Sequence, residues 1–142
     1  MPGKKSQTHP YNFVLCGGYF DEQMAISLIT ALRSVGHKVK SVSLRGEKVA
    51  GMHGVTIVPD MTLNQAMAFA DQAACVILPC HTPHVTPWSH DPRLHQFLRK
   101  ARENEALFVM GRVKAEELDL LTIPAAQMIS HHNVNAITDH LD

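Results

Sequence analysis

The sequence predicts an α/β fold, a doubly wound, mostly parallel sheet with helices on both faces. Three observations lead there. Short, continuous apolar runs recur at Asn12–Cys16, Ala74–Leu78 and Ala106–Met110. Segments with 3.6-residue apolar spacing separate them. Glycine or proline closes each run, at Gly17, Pro79 and Gly111. Apolar runs that do not alternate fit strands covered on both faces, and strands alternating with helices imply βαβ units.

Taken in order, Asn12–Cys16 reads as a buried strand stopped by Gly17-Gly18. Asp21 to Val35 reads as an amphipathic helix, with Ala25, Leu28, Ile29, Leu32 and Val35 on one face. Asp21 and Glu22 fall in its first turn, where negative charge suits the helix dipole, and Gly36 sits where a C-terminal cap belongs. Lys38 to Leu44 reads as a second strand with Val39, Val42 and Leu44 inward. Lys48–Ala50 and Val55–Val58, with Gly51 and Gly54 between, suggest a small hairpin, ended by Pro59-Asp60. Thr62 to Phe69 suggests a short helix capped by Thr62.

Ala74–Leu78 is a candidate central strand, and residues 80–90, with two prolines, read as a loop. Asp91-Pro92 opens a helix whose buried stripe is Leu94, Phe97, Leu98 and Ala101. Ala106–Met110 is a further buried strand. A short helix over 115–121, a last strand over 127–129 and a final helix from Asn133 to Leu141 complete the pattern. No repeat or linker interrupts it, so residues 11–142 are expected to form a single domain, preceded by a disordered tail over 1–10.

Composition narrows the function classes. The chain has 142 residues, and 13 basic side chains balance 13 acidic ones. That balance gives no basic footprint for nucleic acid and no electrostatic reason to visit an anionic membrane. No apolar run approaches the roughly 18 residues that span a bilayer. The first ten residues lack the apolar core of a signal peptide. Three cysteines without a CxxC pair then suggest reduced thiols and a cytoplasmic protein.

Three stretches carry a family resemblance: Val14–Glu22 leading to Leu32–Val39, the His53–Leu63 stretch with its V-x-I-x-P-D-x-x-L pattern, and Ala73–Pro79. Together they resemble the ThiJ/PfpI family, within the class I glutamine-amidotransferase-like superfamily, over roughly residues 12–111. The resemblance implies a flavodoxin-like sheet. It also implies a nucleophilic cysteine on the turn after the strand at 106–110, a glutamate in the first helix, and a Gly-Gly pair after Pro79 that offers N–H donors to an oxyanion. In this chain the cysteine position falls at Met110 or Gly111, the glutamate position at Met24, and Cys80-His81 replaces the Gly-Gly pair.

In open α/β sheets ligands bind beyond the carboxyl ends of the strands. Those ends offer Gly17, Gly18, Tyr19, Gly111, Arg112 and His131 as ligand-binding candidates, with Arg112 suited to an anion. Cys80 follows a buried strand and precedes His81, an arrangement that can activate a thiol. Cys80, His81 and Glu22 are therefore the catalytic candidates. Cys80, His81, His84 and His90 could supply thiolate and imidazole to a zinc ion. Cys16 and Cys75 lie inside strands as buried, inert thiols, and Trp88 is expected to pack its loop onto the body.

The leading expectation is a divergent, non-catalytic ThiJ/PfpI-like domain acting as a binding or assembly module. It would need no cofactor, form a homo-oligomer, and take a small molecule or nothing at the strand ends. The alternative is a cysteine-dependent hydrolase or transferase using Cys80. A third reading is a metal-binding protein using the 80–90 loop.

Overall fold

The computed structural model describes residues 11–82, 84–124, 128–130 and 134–141. The expected tail over 1–10 and His131 lie outside these residues. The order of elements is β1 (Tyr11–Cys16), α1 (Glu22–Ser34), β2 (Val39–Ser43), β3 (Val49–Ala50), β4 (Thr56–Ile57), β5 (Met61–Thr62), α2 (Leu63–Ala66), a 3₁₀ helix (Met67–Gln72), β6 (Ala73–Leu78), α3 (Val85–Trp88), α4 (Pro92–Glu103), β7 (Leu107–Met110), α5 (Ala115–Leu121), β8 (Met128–Ser130) and α6 (Val134–Leu141).

Six strands form one sheet in the order β5-β2-β1-β6-β7-β8, and every pairing in it is parallel. β3 and β4 pair antiparallel outside it. This is the expected doubly wound arrangement. From β1 the chain builds outward through β2 and β5, then returns to place β6 on the other side of β1. Right-handed crossovers running in opposite directions put their helices on opposite faces. Accordingly α1 packs with α6, while α4 packs with α2 and the 3₁₀ helix. β1 is buried from Asn12 onward, and Phe13 meets Phe97 of α4 edge-on at 5.3 Å.

Helix boundaries follow local chemistry. Asp21 is the N-cap of α1 rather than part of its first turn, its carboxylate accepting from the Met24 N–H at 3.0 Å. At the other end Gly36 takes φ +93°, and the N–H groups of Gly36 and His37 return to the carbonyls of Arg33 and Leu32. That is a Schellman closure, which needs a residue tolerant of positive φ. Thr62 and Gln65 form a reciprocal capping box on α2. Asp91 and Pro92 open α4 as the sequence suggests.

Three features depart from the sequence reading. The segment after Thr62 is one α turn that tightens into a 3₁₀ helix. Residues 85–88 of the expected loop form a helical turn that buries Val85 and Trp88. Met61-Thr62 adds an edge strand beside β2. Asp60 holds that edge in place: one carboxylate oxygen accepts from the Ser41 N–H, the Ser41 hydroxyl and Arg33 at 2.9, 3.0 and 3.1 Å. The Asp60 N–H in turn donates to Ser41 Oγ. The P-D step is therefore a clamp, and it explains why Ser41 on β2 is buried. Burial pushes the Asp60 carboxyl up, but the Ser41 hydrogen bonds and the Arg33 charge outweigh this and hold it below its ordinary value.

Candidate functional site

The carboxyl ends of β1, β2, β6 and β7 share one edge of the sheet. After β6, Cys80-His81 turns the chain toward the end of β7. The His81 ring bridges three elements. Its Nδ1 accepts from the Arg112 N–H at 2.7 Å, so its ring proton lies on Nε2, which is 2.6 Å from Asp21 Oδ2. The Arg112 carbonyl accepts from the Thr82 N–H at 2.9 Å, which latches the two loops in both directions.

This latch requires glycine at 111. A Cβ there would stand 2.3 Å from His81 Nδ1 and 2.5 Å from the Cys80 carbonyl oxygen. The imidazole therefore fills the space that a side chain on this turn would use. Nearby amides are also engaged: the Cys80 N–H donates to the Leu78 carbonyl and the Thr82 N–H to Arg112. The Arg112 side chain itself is exposed.

Asp21 connects this latch to α1. Burial favours its neutral form, but hydrogen bonds from His81 and the Met24 N–H dominate and lower its pKa. Its neighbour Glu22 is only 5% exposed. The Glu22 carboxylate accepts from the backbone N–H groups of His53 and Val55 and lies 2.7 Å from His53 Nδ1. Burial again pushes the pKa up, and the backbone and His53 hydrogen bonds bring it below the ordinary value. Gly51 lacks a Cβ where one would lie 2.4 Å from this carboxylate. Glu22 thus ties α1 to the β3–β4 excursion.

The thiols are shielded. Cys80 is 1% exposed. Burial and the Glu117 charge push its pKa up to about 12, against the smaller opposing effect of a hydrogen bond with the His81 backbone. Cys16 and Cys75 are pushed up to about 12 as well, mainly by burial. A thiol in that state stays protonated near neutral pH and is a poor nucleophile.

The loop histidines are not gathered. His81 belongs to the latch, whereas His84 stacks on Tyr19 at 5.0 Å. Among the described residues, the metal-capable side chains that do converge are Asp21, Glu22 and His53. Their oxygens already accept the hydrogen bonds described above, and no observation in the structure points to an ion among them.

Beside the latch, the ends of β1 and β2 are open. Gly17 is necessary because a Cβ would lie 2.5 Å from the Trp88 ring, and the Trp88 indole N–H donates to the Gly18 carbonyl at 2.9 Å. Tyr19 follows in left-handed backbone (φ +59°), a strained conformation for a tyrosine, and the residue is 64% exposed. Together with Leu44, Arg45, His84 and the start of α4 these residues line a cleft of about 600 Å³.

Sequence reading singled out Gly17, Gly18, Tyr19, Gly111, Arg112, Cys80, His81 and His131 at the strand ends, with Glu22 of the first helix as a supporting catalytic candidate. The structure brings His81 together with Gly111 and the Arg112 backbone, and it places Gly17, Gly18 and Tyr19 along the cleft. Glu22 takes its hydrogen bonds from the 51–55 loop, and Asp21 is the acid that meets His81. Sequence reading missed Asp21 as the His81 partner, His53 beside Glu22, and Arg45 in the cleft. Asp21 had a readable signal, an acid at the N-cap position before an apolar stripe. For His53 and Arg45 proximity comes only from tertiary folding.

The profile of the DJ-1/PfpI family matches residues 13–111. No curated protein is similar enough in sequence to match. Among solved structures, a mutant of a DJ-1 superfamily protein from Salmonella typhimurium superposes with a TM-score of 0.73 at 17% identity, over 93% of this chain and 86% of the other. Drosophila melanogaster DJ-1beta gives 0.70 at 23% identity, over 80% and 60%. A ThiJ/PfpI domain protein from Brachyspira murdochii gives 0.68 at 14% identity, over 94% and 96%. At these identities the structures speak for the fold, and the profile, matching well over half of the sequence, speaks for descent: the chain belongs to the DJ-1/PfpI family.

Proposed function

We propose that this chain is a non-catalytic DJ-1/PfpI domain that binds a small molecule at the ends of β1 and β2. The observation that carries the reading is the His81 ring against Gly111. It occupies the turn where the family resemblance puts the nucleophile, at Met110 or Gly111, and at Gly111 a Cβ would lie 2.3 Å from the ring, which leaves that position no room for a cysteine. Three further features support it. Each thiol is buried and shifted toward protonation. The Cys80 amide, the first of the two that replace the Gly-Gly pair, already donates to the Leu78 carbonyl, which weighs against an oxyanion site. A roomy concavity at this edge lies beside the latch, over β1 and β2, within the range of roughly 300–1,000 Å³ typical of small-molecule sites.

The competing reading is an enzyme with Cys80 as nucleophile. The two separate in a turnover assay with p-nitrophenyl acetate and methylglyoxal, run on the wild-type chain and on Cys80→Ser. The binding reading expects both proteins to match the buffer rate. Turnover by the wild-type chain that Cys80→Ser abolishes, with the fold intact by circular dichroism, would establish the enzyme instead.

A further inference from the structure

The cleft over β1 and β2 carries more information than its size. Its aromatic side chains are held in fixed positions. Trp88 is pinned by its indole hydrogen bond and by the missing Cβ at Gly17. Tyr19 sits on left-handed backbone and stacks on His84, with an interplanar angle of 16°. A large aromatic ring left mostly in water, on strained backbone, is the kind of outlier that tends to mark a functional position. Rigid aromatic walls bind flat rings at low entropic cost, because little side-chain freedom remains to be lost.

The charges in the cleft are unequal. Arg93 and Asp91 neutralise each other at 2.9 Å, and Arg93 also donates to the Leu44 carbonyl and to Asn64. The Arg45 guanidinium is exposed and has no hydrogen-bond or ion-pair partner among the described residues. The cleft therefore keeps one uncompensated positive charge beside an apolar, aromatic lining. A guanidinium is a planar fork of donors suited to carboxylate or phosphate oxygens.

We infer that this cleft recognises a small planar aromatic or heteroaromatic molecule bearing one anionic group. The ring would stack on Tyr19 and meet the edge of Trp88, and the carboxylate or phosphate would pair with Arg45. This assignment rests on the binding reading above and specifies its ligand class.

Trp88 is the only tryptophan in the chain, so its emission reports on this cleft alone. The test is a titration of the full chain with 1-naphthoate, 1-naphthyl phosphate and the neutral 1-naphthamide, corrected against free tryptophan. At least one anion should quench Trp88 saturably, with a Kd about tenfold or more below that of the amide, as expected for one charge-assisted pair. The tighter anion identifies the headgroup. Arg45→Gln should remove that preference while leaving the amide unchanged, and Tyr19→Ala should weaken all three. Equal affinity for anion and amide would overturn the anionic assignment while leaving a binding cleft. An anion preference that survives Arg45→Gln would overturn the role of Arg45. No saturable quenching by any of the three up to about 10 mM, too weak for recognition, would overturn both the assignment and the binding reading.

Discussion

Two regions on one edge of this sheet have been treated in opposite ways. At the ends of β6 and β7 the His81 ring reaches across to Asp21 and to the Arg112 amide, and Gly111 makes room for it. At the ends of β1 and β2 the backbone turns back on itself at Gly17-Gly18. Trp88 holds the turn through its indole hydrogen bond to the Gly18 carbonyl, and the cleft that these residues line stays open. Strand order delivers both regions to the same edge, so topology does not decide between them. A single imidazole against a glycine sets one half apart from the other. Fold and site are separable, and here the separation can be traced to individual side chains.

The comparison can be broken most forcefully at Gly111. Gly111→Cys restores a thiol to the turn but drives its Cβ into His81 and the Cys80 carbonyl. It should cost about 3 kcal/mol of stability in urea denaturation, as overpacking of a rigid site does. Adding His81→Ala should recover part of the loss. The remainder should persist, because the Cys80 carbonyl is backbone and cannot withdraw. Full stability in the single Gly111→Cys variant would show that the latch yields easily.

Glu22 gives the next largest effect. Glu22→Ala strips the acceptor from the His53 and Val55 amides, and should cost roughly 2 kcal/mol. Protonation acts on the same contact. The folded pKa of Glu22 is lowered, as are those of Asp21, Asp60 and Asp91. Their stabilisation is therefore fully present above the ordinary carboxylate range, near about pH 4, and is lost as pH falls through the lowered folded values. Unfolding free energies at pH 7, 5 and 3 should show little change from these groups in the first step and a clear fall in the second. Glu22→Gln should make that fall shallower. An equally steep fall in Glu22→Gln would mean that its carboxylate is not a contributor.

The smallest effect is expected on the open side. Tyr19→Ala removes an exposed ring and the His84 stack. It should change stability by less than about 1 kcal/mol, as exposed sites generally do. A larger loss would make Tyr19 a structural residue and weaken the contrast between the two halves.

Much of this architecture was legible in the residues. The buried strands announce themselves because they are covered on both faces and so read as unbroken apolar runs, and the capping residues Thr62, Asp91 and Gly36 sit where helix ends require them. The edge strand Met61-Thr62 was not legible, since two residues carry no periodicity and their place depends on the distant Asp60–Ser41 clamp. The site divides the same way. Cys80, His81, Gly111 and Tyr19 could be placed at strand ends from the chain order. Which of them touch could not, because His81 meets Asp21 across sixty positions of sequence. Glu22 shows the limit most clearly. Helix periodicity leaves an acid in the first turn free to face water, and only the returning 51–55 loop buries it.

The most direct test of the non-catalytic reading is the rate at which iodoacetamide alkylates each cysteine across pH, read by mass spectrometry. With Cys16, Cys75 and Cys80 buried and their pKa values near about 12, the folded chain should remain unmodified from neutral pH to pH values well above the free-thiol range of roughly 8.5, and all three should react once it is unfolded in urea. Fast modification of Cys80 in the folded chain near neutral pH, with an apparent pKa well below that of a free thiol, would contradict the account and make Cys80 the nucleophile of an enzyme.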